Sequence, residues 1–350
     1  MSDTVTMGKA HLLIREDANL NCETPVSLLD SPLTPATDFF VRNNGTLPHC
    51  DEALRDDWGL SVDGEVERAL NLTVRELKAN FPAVTLTAVL ECAGNGRALL
   101  DPQTDGLPWR HGAVGCARWT GVRLGDVLLA AGLRSSAVYS AHESPDRQRE
   151  APEKAAFSRG LPIAKALSEE CLIAFAMNDE PLPVLHGGPL RIVAPGYPGA
   201  AWQKWLSRIW VRDREHDGPK MTGLDYRLNG KVIAEMPVKS LITAPLDGFS
   251  ASVGEAVEVR GFAWSGDVPV ASVAISADGG ESWLDAALEP APGRFAWHRF
   301  RKTVKWGQTG PVRLAARATD RGGNQQPIQG PWNPKGYCNN QIHVISGTIR

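Results

Sequence analysis

Short runs that alternate apolar and polar residues fill the chain from about Met236 onward. They read AVEVRGFAW (256–264), VASVAISADGGESWLDAAL (270–288), FAWHRFRKTVKW (295–306) and PVRLAARATD (311–320). Alternation with a period of two is typical of half-buried strands, and Asp278-Gly279-Gly280 has the composition of a hairpin turn. Regularly spaced strands of this kind predict a small antiparallel sandwich of the immunoglobulin type. The Cys…Trp…Cys spacing of antibody domains is absent, so the likeness is one of architecture.

The segment before Met236 mixes strand and helix patterns. Residues up to about Asp38 are polar and interrupted by prolines, which predicts an extended lead-in. Residues 58–66 alternate and predict a hairpin that turns at Asp63-Gly64. Helices are predicted at 73–79, 124–131 and 163–167, and strands at 85–91, 171–177 and 190–193. The fold class is therefore α+β, with a mixed domain over 1–235 and the sandwich over 236–350.

Composition excludes several classes of function. The 350 residues carry a formal net charge of −3, so nothing attracts the whole chain to nucleic acid or to an anionic membrane. No apolar run approaches the roughly 20 residues of a membrane span, and the N-terminus lacks an export signal, which predicts a cytoplasmic protein. A processed periplasmic form would read the same way. None of the six cysteines forms a CxxC pair, so a zinc ribbon, a redox dithiol and a covalently attached haem lack support.

The stretch VLECAGNGR (89–97) places a cysteine at the end of a predicted buried strand. Cys92 is interpretable as a buried apolar residue, as a nucleophile or as a soft thiolate ligand to a metal. No local motif supplies a histidine base for a nucleophile. Gly94 and Gly96 allow a bulky group to approach the backbone, which favours a cofactor. The segment lacks the third glycine and the βαβ context of a dinucleotide fold.

Cations and one histidine occur in loops rich in glycine and proline. Arg42 lies in FFVRNNGTLP, and His186, Arg191 and Lys204 lie in the stretch from 186 to 204. Each one alone is interpretable as a surface residue. Together, in a mildly acidic protein, they indicate a site for an anion or a phosphate. Four tryptophans are expected to pack in the core, namely Trp109, Trp119, Trp202 and Trp205.

These stretches together resemble the sulfite oxidase family of molybdenum enzymes. The ordered blocks are FFVRN, ECAGNGR, WRHGAVGCARWTGVRL, NDEPLPVLHGGPLRIVAPGYPGAAWQKW, DGGESW, GNQQP and WNPKGYCNN, and they run from about Phe39 to the C-terminus. The resemblance implies a molybdopterin-binding domain followed by an immunoglobulin-like domain that forms a homodimer. It also implies one molybdenum-molybdopterin cofactor per chain, with Cys92 as the protein thiolate on the metal.

The resemblance assigns further residues to the cofactor and to the substrate. The cofactor set is Phe39, Phe40, Val41, Arg42, Asn43, Asp146, His186, Arg191, Trp202, Gln203 and Lys204. The catalytic set is Cys92, Arg42, Arg97, Tyr226 and Lys335. Two positions depart from the family: Asn44 stands where a histidine is usual, and Lys335 stands where an arginine is usual, which removes a bidentate fork.

The implied activity is oxidation of sulfite to sulfate. The chain has no predicted haem or flavin domain, so a separate electron acceptor such as a cytochrome is expected. Nitrate reduction and oxidation of a sulfane sulfur are the enzymatic alternatives within the same fold. A β-sandwich interaction protein with a vestigial cofactor domain is the alternative from another class.

Overall fold

The computed structural model describes residues 8–350, in which β-strand is the main secondary structure. Strands β1 to β14 are Leu13–Glu16, Asn21–Glu23, Gly59–Gly64, Leu70–Thr73, Ala83–Glu91, Val114–Arg123, Tyr139–Glu143, Arg159–Pro162, Leu172–Met177, Glu180–Pro181, Arg191–Val193, Arg208–Arg212, Arg227–Leu228 and Lys231–Val232. Helices α1 to α3 are Val74–Asn80, Leu124–Ala131 and Ile163–Ala166. Residues 1–7, where the predicted lead-in and the first predicted domain begin, lie outside the described residues.

Two five-stranded sheets form the first domain. One has the order β10-β9-β6-β5 with β11 on β9, and the other has the order β4-β3-β12-β7-β8. Strand β6 is buried over most of its length because it pairs with β5 on one side and with β9 on the other. The core between the elements includes Val62, Trp119, Leu172 and Ile209, each fully buried. Burial of such side chains contributes about 1.5–3 kcal/mol each.

Local sequence signals account for the short helices. The Thr73 hydroxyl accepts a hydrogen bond from the Glu76 amide, and the Glu76 carboxylate accepts one from the Thr73 amide. This capping box satisfies amides that helix α1 leaves unpaired. Helix α2 ends at Gly132, whose φ of +72° lies in the left-handed region that glycine tolerates. The predicted helices and the predicted strands of this domain are present within one or two residues.

Two local predictions are wrong. The hairpin does not turn at Asp63-Gly64, because β3 runs through Gly64 and pairs with β12 as well as with β4. The turn lies in residues 65–69 instead. The lead-in is also more than extended chain, since β1 and β2 form an antiparallel hairpin whose Cys22 is buried with Leu12 and Leu20.

The second domain is a sandwich of two sheets. Strands β15 to β23 are Lys239–Ala244, Phe249–Ala251, Val257–Trp264, Val270–Ser276, Leu284–Asp285, Ala287–Leu288, His298–Val304, Gly310–Asp320 and His343–Ile349. The sheet orders are β15-β17-β21-β20 and β16-β23-β22-β18-β19. Their inner faces bury Val259, Ile275, Phe300 and Leu314. The Asp278-Gly279-Gly280 turn joins the antiparallel pair β18 and β19, as predicted. The predicted fold class is confirmed, with more strand than helix in the first domain.

The two domains share a core, and a segment of the second domain returns to the first. Val89 packs in one cluster with Phe262 and Trp297, and its amide donates to the carbonyl of Phe295 at 2.9 Å. Between β22 and β23 the chain returns to the first domain, where the Cys338 amide donates to the carbonyl of Ala93 at 2.8 Å. Because of this return, residues from both ends of the sequence line the site. The division at 235/236 stays a prediction.

Candidate active site

The loop after β5 positions Cys92. Its amide donates to the carbonyl of Ala113 at 2.9 Å, and its carbonyl accepts from the Asn95 amide at 2.9 Å, so a tight turn follows the strand. At Gly94 a Cβ atom would lie 2.5 Å from a terminal nitrogen of Arg97, so the guanidinium packs closely against this turn. Gly96 has a φ of +91° at the start of the 3-10 helix Arg97–Leu99. The turn thus carries Cys92 and Arg97 to the lining of one cavity.

Cys92 lies where two cavities meet. The first encloses about 690 Å³ of empty space and the second about 610 Å³, open mouths included. Both are lined by Cys92, Arg42, Asn44 and Tyr226. A group bound in the first cavity would meet a group bound in the second at the Cys92 thiol.

Two cations, the buried Arg191 and the partly buried Lys204, line the first cavity. The Lys204 ammonium donates to Asn43 Oδ1 and to the carbonyl of Leu185, and burial next to Arg191 holds its pKa well below the usual value. Arg191 donates to the carbonyls of His186 and Trp202 at 2.7 and 3.1 Å, and burial lowers its pKa to about 9. Neither cation has a carboxylate partner among residues 8–350. Buried charge without a partner is costly, so this part of the cavity is built to receive an anion.

Hydrogen-bond acceptors line another part of the same cavity. Gln203 donates to Ser144 Oγ at 2.6 Å, which leaves its buried Oε1 without a partner. Ser144 in turn donates to the carboxylate of Asp146, whose pKa is raised by burial. The unpaired Gln203 oxygen and the Asp146 carboxylate, which receives a hydrogen bond from Ser144, suit a ligand that carries N–H donors. Gln203 and Asp146 therefore suit the N–H groups along one edge of a nitrogen heterocycle.

The first cavity fits a molybdopterin-type cofactor. Its cations suit a phosphate, its acceptors suit pterin N–H groups, and the Cys92 sulfur is a soft ligand for a metal. Within residues 8–350 no group of three or more His, Cys, Asp or Glu side chains could hold a metal ion. A metal beside Cys92 would therefore bring most of its ligands with it, as a dithiolene-bearing cofactor does.

The second cavity is lined by cationic side chains. Arg42, Arg97, Lys220 and Lys335 line it, together with the carboxylates of Asp105 and Asp225. Arg97 is 7% exposed, and its guanidinium donates to the carbonyls of Lys335 and Leu107 at 2.7 and 2.9 Å. Arg42 donates to the carbonyl of Asn43 and to Asn44 Oδ1. Fixed guanidinium groups with donors to spare suit an oxyanion.

The structure brings most of the predicted site residues to the two cavities. Phe40, Arg42, Asn43, Cys92, Asp146, His186, Arg191, Trp202, Gln203, Lys204 and Tyr226 line the first, and Arg97 and Lys335 line the second. Phe39 and Val41 line neither cavity. They alternate with Phe40 and Arg42 in an extended segment, so their side chains face the core. Phe39 packs edge-on against His186, and Val41 pairs with Cys22.

Several residues of the site carried no signal that the sequence prediction used. Lys9 is 3% exposed, and its ammonium donates to the carbonyls of Ala36, Thr37 and Phe39 at 2.6, 2.7 and 3.1 Å. It fixes the turn that leads into the cavity wall, although it lies in a polar N-terminal segment. Ser144, two residues before Asp146, and Lys220 at the mouth of the second cavity were also missed. Tyr337 lies in the WNPKGYCNN block, in which the sequence predicted a role for Lys335 alone.

Comparison with known proteins agrees with this geometry. The family described as "Oxidoreductase molybdopterin binding domain" matches residues 44–220, and the "Mo-co oxidoreductase dimerisation domain" matches residues 230–348. The chain is 35% identical to human mitochondrial sulfite oxidase over 95% of its own length and 65% of that protein's. It is 31% identical to sulfite oxidase of Arabidopsis thaliana, over 93% of this chain and 91% of that one.

Nitrate and sulfane enzymes are also among the similar proteins. A barley NADH nitrate reductase is 30% identical over 92% of this chain and 39% of its own. The crystal structure of the sulfane dehydrogenase SoxCD from Paracoccus pantotrophus superposes with a TM-score of 0.80, at 26% identity, over 95% of this chain and 85% of that one. No helix within residues 8–350 is long and apolar enough to cross a membrane. The chain belongs to the sulfite oxidase family of molybdopterin-binding oxidoreductases.

Proposed function

We propose that this protein oxidises sulfite to sulfate. The observation that carries the proposal is the position of Cys92, shared by a cavity that fits the cofactor and a cavity lined by four cations. In this reaction sulfite gains one oxygen atom from water and releases two electrons and two protons. The site must therefore bind a dianion next to a two-electron redox centre. The Cys92 thiol, which lines both cavities, is where the two would meet.

The first cavity would hold the cofactor through three kinds of contact. Lys204 and Arg191 would neutralise its phosphate, while Gln203 Oε1 and the Asp146 carboxylate would accept hydrogen bonds from its ring. Cys92 would ligate the metal as a thiolate. When bound, the molybdenum cofactor supplies the two-electron redox chemistry and the oxygen-atom transfer.

The second cavity would bind and orient the substrate. Arg42, Arg97 and Lys335 would neutralise the dianion, and the Tyr226 hydroxyl would donate to one of its oxygens. Arg97 is held in advance by two backbone carbonyls, so little side-chain entropy is lost when an anion binds. Lys335 supplies charge without a fork, and the nearest carboxylate, Asp105 at 3.9 Å, competes weakly for it.

Two partners complete the proposal. The electrons require an acceptor outside the domains described here, and a separate cytochrome is the class we expect, since no haem or flavin is predicted in the chain. The dimerisation-domain match over residues 230–348 supports a homodimer through the sandwich. Spectra of purified protein without a haem Soret band or a flavin band arising from this chain would agree with the first expectation.

Sulfane oxidation is the second candidate. It is favoured by the likeness to SoxCD, whose crystal structure superposes over 95% of this chain. A carrier bearing a sulfane group would depend less than sulfite on a bidentate arginine at position 335. Nitrate reduction has the support of the barley relative, without a structural feature in the second cavity that favours it.

Turnover with each substrate separates the candidates. Protein of measured molybdenum content is assayed for ferricyanide reduction with sulfite and with a persulfide-bearing peptide, and for nitrate reduction with a reduced dye. We expect the highest kcat/KM with sulfite. A kcat/KM at least tenfold higher with the persulfide or with nitrate would replace the proposal by that activity.

A further inference from the structure

A fully buried arginine stands behind the second cavity and lines neither cavity. Arg159, the first residue of β8, is 1% exposed, and no carboxylate within residues 8–350 pairs with it. One terminal nitrogen donates to the carbonyl of Lys220 at 2.6 Å, while its Nε has no partner. Burial lowers its pKa. A guanidinium kept in the core at this cost must be stabilised by something other than an ion pair.

The Tyr226 ring supplies that contact, and it is stacked on Tyr337. The Arg159 guanidinium lies 5.1 Å from the centroid of the Tyr226 ring, and the rings of Tyr226 and Tyr337 stack at 5.3 Å with 16° between their planes. On the other side the Arg97 guanidinium lies 5.5 Å from the Tyr337 ring. Cation–π contacts are strongest when the arginine is removed from water, as Arg159 and Arg97 are here. These four residues form one continuous column, called here the Arg–Tyr column.

The column joins parts of the chain that are far apart in sequence. Arg159 comes from a sheet strand, Tyr226 from the loop between β12 and β13, and Tyr337 from the segment returning out of the second domain. Tyr226 and Lys220 both have left-handed backbones, with φ of +53° and +66°, which non-glycine residues adopt only when contacts hold them. Arg159 contacts both of them. It is therefore placed to fix the wall of the second cavity from behind.

We propose that the Arg–Tyr column sets the affinity of the second cavity for its anion, with Arg159 as a positioning residue for Tyr226 and Lys220. The proposal rests on the proposed function for the identity of the anion. Arg159 does not reach the reacting atoms, so its loss should weaken anion binding without slowing the chemical step. Tyr337 acts in the same way from the other side, since it separates Tyr226 from Arg97.

The test compares Arg159→Met, Arg159→Lys and the exposed control Arg134→Met at matched molybdenum content. We expect Arg159→Met to raise the KM for sulfite about tenfold with kcat within about twofold, and Arg159→Lys to restore most of the affinity. Calorimetric binding of sulfate should weaken by the same factor in Arg159→Met. Arg134→Met should change neither quantity.

Three outcomes decide the matter. Unchanged sulfate affinity in a folded Arg159→Met protein, or a fall in kcat at constant KM, overturns the proposal. If Arg159→Met does not fold, Tyr337→Leu takes its place and must show the same weaker sulfate binding, and normal binding there also overturns it. A wild-type protein that binds sulfate but does not oxidise sulfite would refute the proposed function, and the column would then be judged by sulfate affinity alone.

Discussion

Lys239, the first residue of the sandwich strand β15, donates a hydrogen bond to the carboxylate of Glu91 at 2.6 Å, next to the cysteine of the active-site loop. Both side chains are almost fully buried. The other Glu91 oxygen accepts from the Trp264 indole at 2.8 Å, and Asn95 donates to the first. The second domain therefore holds the end of β5, and with it the position of Cys92.

Lys239→Met tests the strength of this link. Removal of one partner leaves the Glu91 carboxylate buried and unpaired, so the free energy of unfolding should fall by about 3–5 kcal/mol. Urea unfolding followed by circular dichroism measures the change. The exposed Lys231→Met should stay within about 0.5 kcal/mol of the wild type. A loss below about 1 kcal/mol for Lys239→Met would mean that the pair does not hold the loop.

Acid sensitivity is predicted from a buried histidine. His142 is fully buried, with Nε2 3.0 Å from Ser140 Oγ and Nδ1 without a partner, and burial lowers its pKa to about 3. The unfolded chain binds a proton near pH 6.5, whereas the native state does so only near pH 3. The free energy of unfolding therefore falls as pH drops through that window, by about 1.4 kcal/mol per pH unit for one histidine.

The variant His142→Asn removes this contribution. Between pH 6.5 and pH 4.5 its free energy of unfolding should fall by about 2 kcal/mol less than that of the wild type. Urea unfolding at the two pH values gives the difference, and the exposed His49→Asn serves as the control. Parallel pH profiles for the wild type and His142→Asn would show that His142 is protonated in the native state.

Cofactor retention depends on the two cations that line the first cavity, Arg191 and Lys204. Lys204→Met should raise the dissociation constant of the cofactor at least tenfold, because a charged hydrogen bond is worth about 1.5–3 kcal/mol. Molybdenum and pterin content per chain after dialysis measure the effect. The exposed Lys154→Met should retain wild-type content. Full retention of molybdenum and pterin in Lys204→Met would show that Lys204 does not bind the cofactor phosphate.

Substrate affinity should respond to the geometry at position 335. Lys335→Arg restores a fork that can bind two oxygens of an oxyanion, so the KM for sulfite should fall by about three- to tenfold. Lys335→Met should raise the KM by a similar factor, so the two variants are expected to change the KM in opposite directions. Steady-state kinetics with ferricyanide measure both. An unchanged KM in both would place Lys335 outside the substrate contact.

The blocks around Cys92 and Lys204 predicted most of the site because their chemistry lies in short, contiguous stretches. Lys9 and Arg159 could not be found this way, since their roles come from contacts with carbonyls and rings far away in sequence. Gly64 shows the converse. Asp63-Gly64 has the residues of a turn, but Gly64 is needed because a Cβ atom there would lie 2.1 Å from the carbonyl oxygen of Val211 in the neighbouring strand. Tertiary packing overrides turn chemistry at that point.

Turnover per bound molybdenum in the wild type and in Cys92→Ser tests the central claim most directly. Sulfite-dependent ferricyanide reduction is measured on samples whose molybdenum and pterin contents are known. The account predicts sulfite turnover in the wild type and a loss of at least 100-fold per molybdenum, on the order of 3 kcal/mol in the barrier, in Cys92→Ser. Equal turnover per molybdenum in the two proteins would contradict the assignment of Cys92 as the metal's thiolate ligand.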